Sequence, residues 1–123
     1  EHRKLKEWIA GHPDAIGITG VRKTTTEHRF CCGNAVDILF EMKNGSDIVV
    51  EIETIDPLPG CHQAIKYRAL RCAERKVALN SKKVSAYVIA WRIPGEVEAF
   101  CKKYGLKAQC ARAGILSCKS SDD

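Results

Sequence analysis

One hairpin constrains this chain more than any other stretch of it. Two strand-like runs, Ala35–Met42 and Asp47–Thr54, flank Asn44-Gly45, and along a strand side chains point alternately to its two faces. Val36, Ile38 and Phe40 on the first run and Ile48, Val50 and Ile52 on the second form one apolar set. These six share a face only if even-numbered residues lie opposite even-numbered ones. A two-residue Asn-Gly turn would pair Lys43 with Ser46 and break that parity. A three-residue loop, Lys43-Asn44-Gly45 with Gly45 left-handed, pairs Met42 with Ser46 and keeps it. In that register Asp37 stands opposite Glu51, and Glu53 follows two residues along on the same face.

Carboxylates inside otherwise apolar strands are costly to bury without a cation or a donor, and opposed like charges repel across a ladder. Asp37 is the strongest candidate because aspartate is disfavoured in strands and serves no turn there. A divalent ion of the magnesium type, which takes one or two carboxylates plus waters, would relieve the repulsion. The alternative reading is a solvated face with Glu41, Glu51 and Glu53 as ordinary surface acids.

Pro57-Leu58-Pro59-Gly60 reads as a turn-forming linker, followed by a helical run from Gln63 to Lys76. Ile65, Ala69, Cys72, Ala73 and Val77 predict its buried stripe. Arg68, Arg71 and Arg75 form a basic stripe elsewhere on that helix. This stripe is either a solvated face or a phosphate-backbone contact beside the acids.

Taken together, Val36-Asp37-Ile38-Leu39-Phe40, Val49-Val50-Glu51-Ile52-Glu53 and Gln63-Ala64-Ile65-Lys66-Tyr67-Arg68-Ala69-Leu70 resemble the core of the PD-(D/E)xK nuclease superfamily. The resemblance covers about half the chain, from Gly33 to roughly Lys76. It implies a restriction-endonuclease-like α/β fold in which a strand Asp and a Glu-x-Lys bind metal and act on phosphodiesters. It also implies a metal set of Asp37, Glu51, the Ile52 carbonyl and a first-helix glutamate, for which Glu7 is the candidate. Gln63 and Tyr67 match the Gln-x-x-x-Tyr of some branches. The chain departs from the pattern at one place: Glu53 stands where the motif has lysine, and Lys66 on the helix is the cation that could swing in. The resemblance therefore implies a Mg²⁺-dependent (or Mn²⁺-dependent) DNA endonuclease, with Asp37, Glu51, Glu53, Gln63 and Lys66 catalytic. Arg68, Arg71, Arg75 and Tyr67 would hold the nucleic acid. The alternative is an inactive nuclease scaffold that binds nucleic acid or a protein.

Composition is consistent with this reading. The chain has 123 residues, of which 45% are hydrophobic, enough for one packed α/β domain. Its net charge of +5 suits a polyanionic partner such as DNA without proving one. No run of about 18 apolar residues exists to span a membrane, and no secretory signal is legible. We expect one domain of a longer protein in a reducing, cytoplasmic compartment, with a homodimer favoured if both strands of a duplex are cut. The seven cysteines contain no C-x-x-C pair. His28 with Cys31 and Cys32, or Cys61 with His62, are the nearest approaches to a zinc set. Cys72, Cys101 and Cys110 read as small buried hydrophobes. Cys31 and Cys32 fit a strand with one side chain in and one out.

The remaining segments predict a helix over Lys4–Ala10 with Leu5, Trp8 and Ile9 inward, then a brief strand or turn over Ala15–Thr19. A strand over Thr24–Cys32 should lie antiparallel to the Asp37 strand, and Val84–Ile93 should be a central strand. A helix from Pro94 should bury Val97, Phe100, Cys101 and Tyr104 and end at Gly105. A last strand is expected over Lys107–Ala113. Domain 1–116 would then run helix, three strands, helix, strand, helix, strand around a mixed sheet of about five strands, with 117–123 a polar tail.

Overall fold

A computed structural model describes residues 1–111 and shows an α/β fold: a five-stranded mixed sheet between two helical layers. Helix α1 (His2–Gly11) and a 3₁₀ turn (Pro13–Ile16) precede strands β1 (Val21–Arg29), β2 (Ala35–Met42) and β3 (Asp47–Glu53). Helix α2 (Pro57–Arg75), β4 (Val84–Ala90), α3 (Gly95–Lys103) and β5 (Lys107–Cys110) complete the order. The strands lie β1-β2-β3-β4-β5, antiparallel through β3 and parallel from β3 to β5. Two successive crossovers progressing in one direction across a sheet place both helices on the same side. Accordingly α2 and α3 share one core with Leu39, Val49, Ala86 and Val88, while α1 packs on the other side against Ile38, Phe40, Val50 and Ile52. No described helix is long and apolar enough to cross a membrane.

The hairpin register is the expected one. Ile38 pairs with Val50 and Phe40 with Ile48, and the turn closes through Met42 N–H to the Ser46 carbonyl at 2.8 Å. Gly45 has φ +88°, which only glycine adopts readily. Val36 leaves the expected set and packs with Phe30, Leu39 and Tyr67 on the α2 side.

Several expectations are corrected. Pro57-Leu58-Pro59-Gly60 is no linker; it is the first turn of α2. Asp56 caps it by accepting from Leu58 N–H at 3.1 Å, and Pro57 occupies a position whose N–H would have no helical partner. The buried stripe of α2 is Pro57, Gly60, Cys61, Ala64, Tyr67 and Cys72, whereas Ala73 is exposed. Of the expected stripe, Cys72 is buried and Ile65 packs against the core, and the true face also holds Arg71. The central strand is β3, with β4 one place further out. Of the two expectations for Ala15–Thr19, the turn is the one observed: Gly17 ends the 3₁₀ turn with φ +77°. Cys31 and Cys32 lie in the β1–β2 turn, both exposed, and Cys110 is half-buried. Tyr104 is exposed just past the end of α3, while Cys101 is buried with its Sγ 3.4 Å from Cys61 Sγ of α2. Residues 112–123, including Ala113, Cys118 and the polar tail, lie outside the described residues.

Candidate active site

The β2–β3 hairpin carries five carboxylates: Asp37, Glu41, Asp47, Glu51 and Glu53. They separate into two groups. Near the turn, Glu41 pairs with Asp47, which is only 2% exposed. Asp47 Oδ2 accepts from Arg71 Nε at 2.8 Å and from Arg75 Nη1 at 2.6 Å. Arg71 also reaches Glu74 at 3.0 Å and Glu41 at 3.5 Å. Burial pulls the Arg71 guanidinium down, but its hydrogen bonds to Asp47 and Glu74 outweigh this and leave it raised. These acids are neutralised by the helix above them.

The second group lies where β2 and β3 part. The strand ladder stops at Ile38 and Val50, and beyond it the side chains take over the backbone bonding. Asp37 N–H donates to Glu51 Oε2 at 3.0 Å, and Ile52 N–H donates to Asp37 Oδ2 at 2.8 Å. Amides that lose their strand partner must find another acceptor, and each carboxylate is fixed by supplying one. Glu51 is 7% exposed and lies opposite Asp37. Burial first, then the Asp37 charge, pushes its carboxyl up to about 8. Glu53 is also raised, by burial and by Asp37, with His2 acting in the opposite sense.

The neighbours of this group were only partly legible in sequence. His2 of α1 is in contact with it, with Nε2 3.3 Å from Asp37 Oδ2. Glu7, the expected first-helix ligand, is exposed; five residues beyond His2 it points about 140° away around the helix. Beside His2, the nearly buried Lys6 pairs with Glu27 of β1, which takes an unusual left-handed φ of +56°. From α2, Gly60 lies against Glu53: a β-carbon there would fall 2.3 Å from Glu53 Cγ. That glycine is required for close approach, a role its sequence neighbours disguised as a turn.

Gln63 and Tyr67 share the Gly60 face of α2 by helical spacing. Gln63 Oε1 is buried with no hydrogen-bond partner among the described residues. The Tyr67 phenol is raised by burial and then by Glu51 and Asp37, and its ring stacks on Phe30 with centroids 5.5 Å apart. Lys66 is exposed, and its Nζ sits 5.3 Å from the Tyr67 ring centre. Ile52 is buried.

The three arginines correct the sequence reading. Arg71 and Arg75 are turned inward onto Asp47, and Arg75 also bonds the Gly45 carbonyl. Arg68 donates to the carbonyls of Gly105 and Tyr104 at 3.1 and 3.0 Å. Long side chains on the buried face, met by sheet carboxylates and a loop, look in sequence like a free basic stripe. The zinc arrangements do not form among the described residues: His28 bonds Glu74 at 2.9 Å and the His62 ring meets Phe100 edge-on.

Among the described residues no three His, Cys, Asp or Glu side chains converge as a ready cage for a metal. A magnesium-type ion asks for less: one or two carboxylates and several waters. The Asp37–Glu51 pair meets that demand with hard oxygen donors in a setting short of positive charge. The unpartnered Gln63 Oε1 adds an acceptor for a bound water. The donor set fits the ion.

No protein-family model matches the sequence, and no curated protein matches it. Solved structures do. A repair endonuclease from Pyrococcus abyssi superposes with a TM-score of 0.74 at 18% identity, over 91% of this chain and 47% of that one. EndoMS in its apo form gives 0.69 at 18% identity, covering 91% and 46%. EndoMS in complex with double-stranded DNA gives 0.66 at 18% identity, covering 88% and 43%. At such identity the likeness establishes the fold. The chain spans less than half the length of these structures.

Proposed function

We propose that this chain is a nuclease domain of the PD-(D/E)xK type that hydrolyses DNA phosphodiesters with the help of Mg²⁺ or Mn²⁺. The observation that carries the reading is the cluster of Asp37, Glu51 and Glu53, left without the arginines that neutralise Asp47 on the same hairpin. The fold shared with repair endonucleases, one of them solved on duplex DNA, supports it.

In this reading Asp37, Glu51 and the Ile52 carbonyl would hold the ion. Bound there, it would polarise the scissile phosphate and lower the pKa of the attacking water. Glu53, whose proton affinity is raised, accepts a proton from that water on its carboxylate. Gln63 Oε1 accepts a hydrogen bond from the same water and orients it. Lys66, held beside Tyr67, offers the phosphate the ammonium that the motif position lacks. DNA contacts fall to cations not engaged within the chain, not to Arg68, Arg71 and Arg75. Cutting both strands of a duplex would be met by pairing two copies, within a longer protein.

A second reading, a scaffold that binds nucleic acid without cutting it, is favoured by Glu53 itself, an acid where the motif has a cation. A cleavage assay on labelled duplex, single-stranded and branched DNA with Mg²⁺ or Mn²⁺ separates the two, with Asp37→Ala alongside. Metal-dependent cutting lost in the variant establishes the nuclease. Salt-sensitive binding without cutting establishes the scaffold.

A further inference from the structure

A cavity of about 600 Å³ lies away from the carboxylates. It opens at the other end of the parallel strands, where α2, the loop 76–83, the starts of β4 and β5 and the end of α3 meet. Val84 at its wall pairs with Asp47, whereas Glu51 and Glu53 pair with Val88 and Ala90. That places it four to six residues, or roughly 13–20 Å, along the strand from the candidate active site.

Its lining is chemically one-sided. Arg68, Lys82 and Lys107 are its basic residues, the Lys107 Nζ lying 5.6 Å from the Tyr87 ring centre, and among the described residues no carboxylate lines it. Ser81 and neighbouring polar side chains add hydrogen-bonding groups, while Tyr104 and Leu79 are 43% and 66% exposed beside them. The walls are preformed. Arg68 ties α2 to the Tyr104 and Gly105 carbonyls, and Lys83 N–H donates to Ser81 Oγ at 3.1 Å. The loop is held further by Val77 N–H on the Cys72 carbonyl and by Ser81 N–H on the Ala78 carbonyl. Cations want an anion, and an exposed aromatic beside an exposed leucine wants a flat apolar surface. A volume in the range of small-ligand sites admits one ligand that has both.

We propose that this cavity binds a nucleotide, with its phosphate on Lys82 and Lys107 and its base against Tyr104 and Leu79. Two sources share that chemistry: a free nucleotide, and the terminal unit of a single strand. The site stands on its own lining and does not depend on the carboxylates being catalytic.

The test is calorimetric titration of the full chain with adenosine 5′-monophosphate, adenosine, inorganic phosphate and a 5′-phosphorylated single-stranded tetranucleotide. The expected result is saturable binding of the monophosphate, with adenosine and phosphate each at least roughly tenfold weaker. Lys82→Ala with Lys107→Ala should weaken it roughly tenfold or more, Tyr104→Ala should weaken it, Tyr104→Phe should restore it, and Asp37→Ala should change nothing. The monophosphate binding without the tetranucleotide assigns a free nucleotide; comparable binding of both assigns the strand end. Absence of binding at millimolar monophosphate and tetranucleotide would overturn the proposal. So would affinity for inorganic phosphate equal to that for the nucleotide, or affinity indifferent to both lysines.

Discussion

The β2–β3 hairpin carries two carboxylate pairs, and the protein treats them in opposite ways. Glu41 and Asp47 sit under Arg71 and Arg75, which turn a buried acid into part of the core. Asp37 and Glu51, four residues along, receive backbone N–H groups and a single histidine contact, and Glu51 is driven toward its neutral form instead. Both pairs lie on the same two strands, so the difference lies in what the helices place over each. At its C-terminal end α2 offers guanidinium groups; at its N-terminal end it offers Gly60, a gap filled by Glu53. An acid that is compensated is structure, and one that is not compensated is free to compensate something else.

The contrast breaks most visibly in activity. Asp37→Ala should remove metal-dependent cleavage by roughly a thousandfold or more, equivalent to at least about 4 kcal/mol of barrier. It should move the urea midpoint little, because relief of Glu51 opposes the loss of the acceptor for the Ile52 N–H. Asp47→Ala should do the reverse. It strands Arg71 under α2 without its main partner, and equilibrium urea unfolding should show a loss of about 3–5 kcal/mol.

Next comes pH. Glu51 holds its proton up to about 8 in the fold, against an ordinary 4.5. The folded state therefore binds more protons than the unfolded chain between those values. Metal-free stability should be fullest below the lower value and fall as pH rises through the higher one. Glu51→Gln should remove most of that slope, worth on the order of a few kcal/mol when urea midpoints at about pH 6 and about pH 8.5 are compared. A slope unchanged by the substitution would mean that the cluster is not charge-starved.

Smaller effects sharpen the boundary. Gly60→Ala should push Glu53 aside and slow cleavage about tenfold, with stability shifting by only about 1 kcal/mol because alanine is the better helix former. Glu7→Ala should leave both cleavage and stability within about 0.5 kcal/mol of the parent, since that side chain is exposed and turned away from His2.

What could be read from the sequence followed from periodicity. Strand alternation gave the register of the hairpin, the three-residue turn at Gly45 and the meeting of Asp37 with Glu51, because a slip of one residue would have turned every side chain over. The order of elements was legible for the same reason. What escaped was contact between elements distant in sequence. Arg71 and Arg75 look solvated until Asp47 is placed beneath them. Gly60 looks like a turn until Glu53 is seen against it. His2 carries no pattern at all; only the packing of α1 across the end of the sheet brings it to Asp37. The start of α2 was missed because two prolines were read as breakers, although the first helical turn has N–H groups with no helical partner to lose.

The most direct test of the contrast is calorimetric titration of Mn²⁺ into the intact chain, with Asp37→Ala as control. The account predicts saturable binding that disappears in Asp37→Ala. Manganese that fails to bind, or that binds equally well without Asp37, would contradict it.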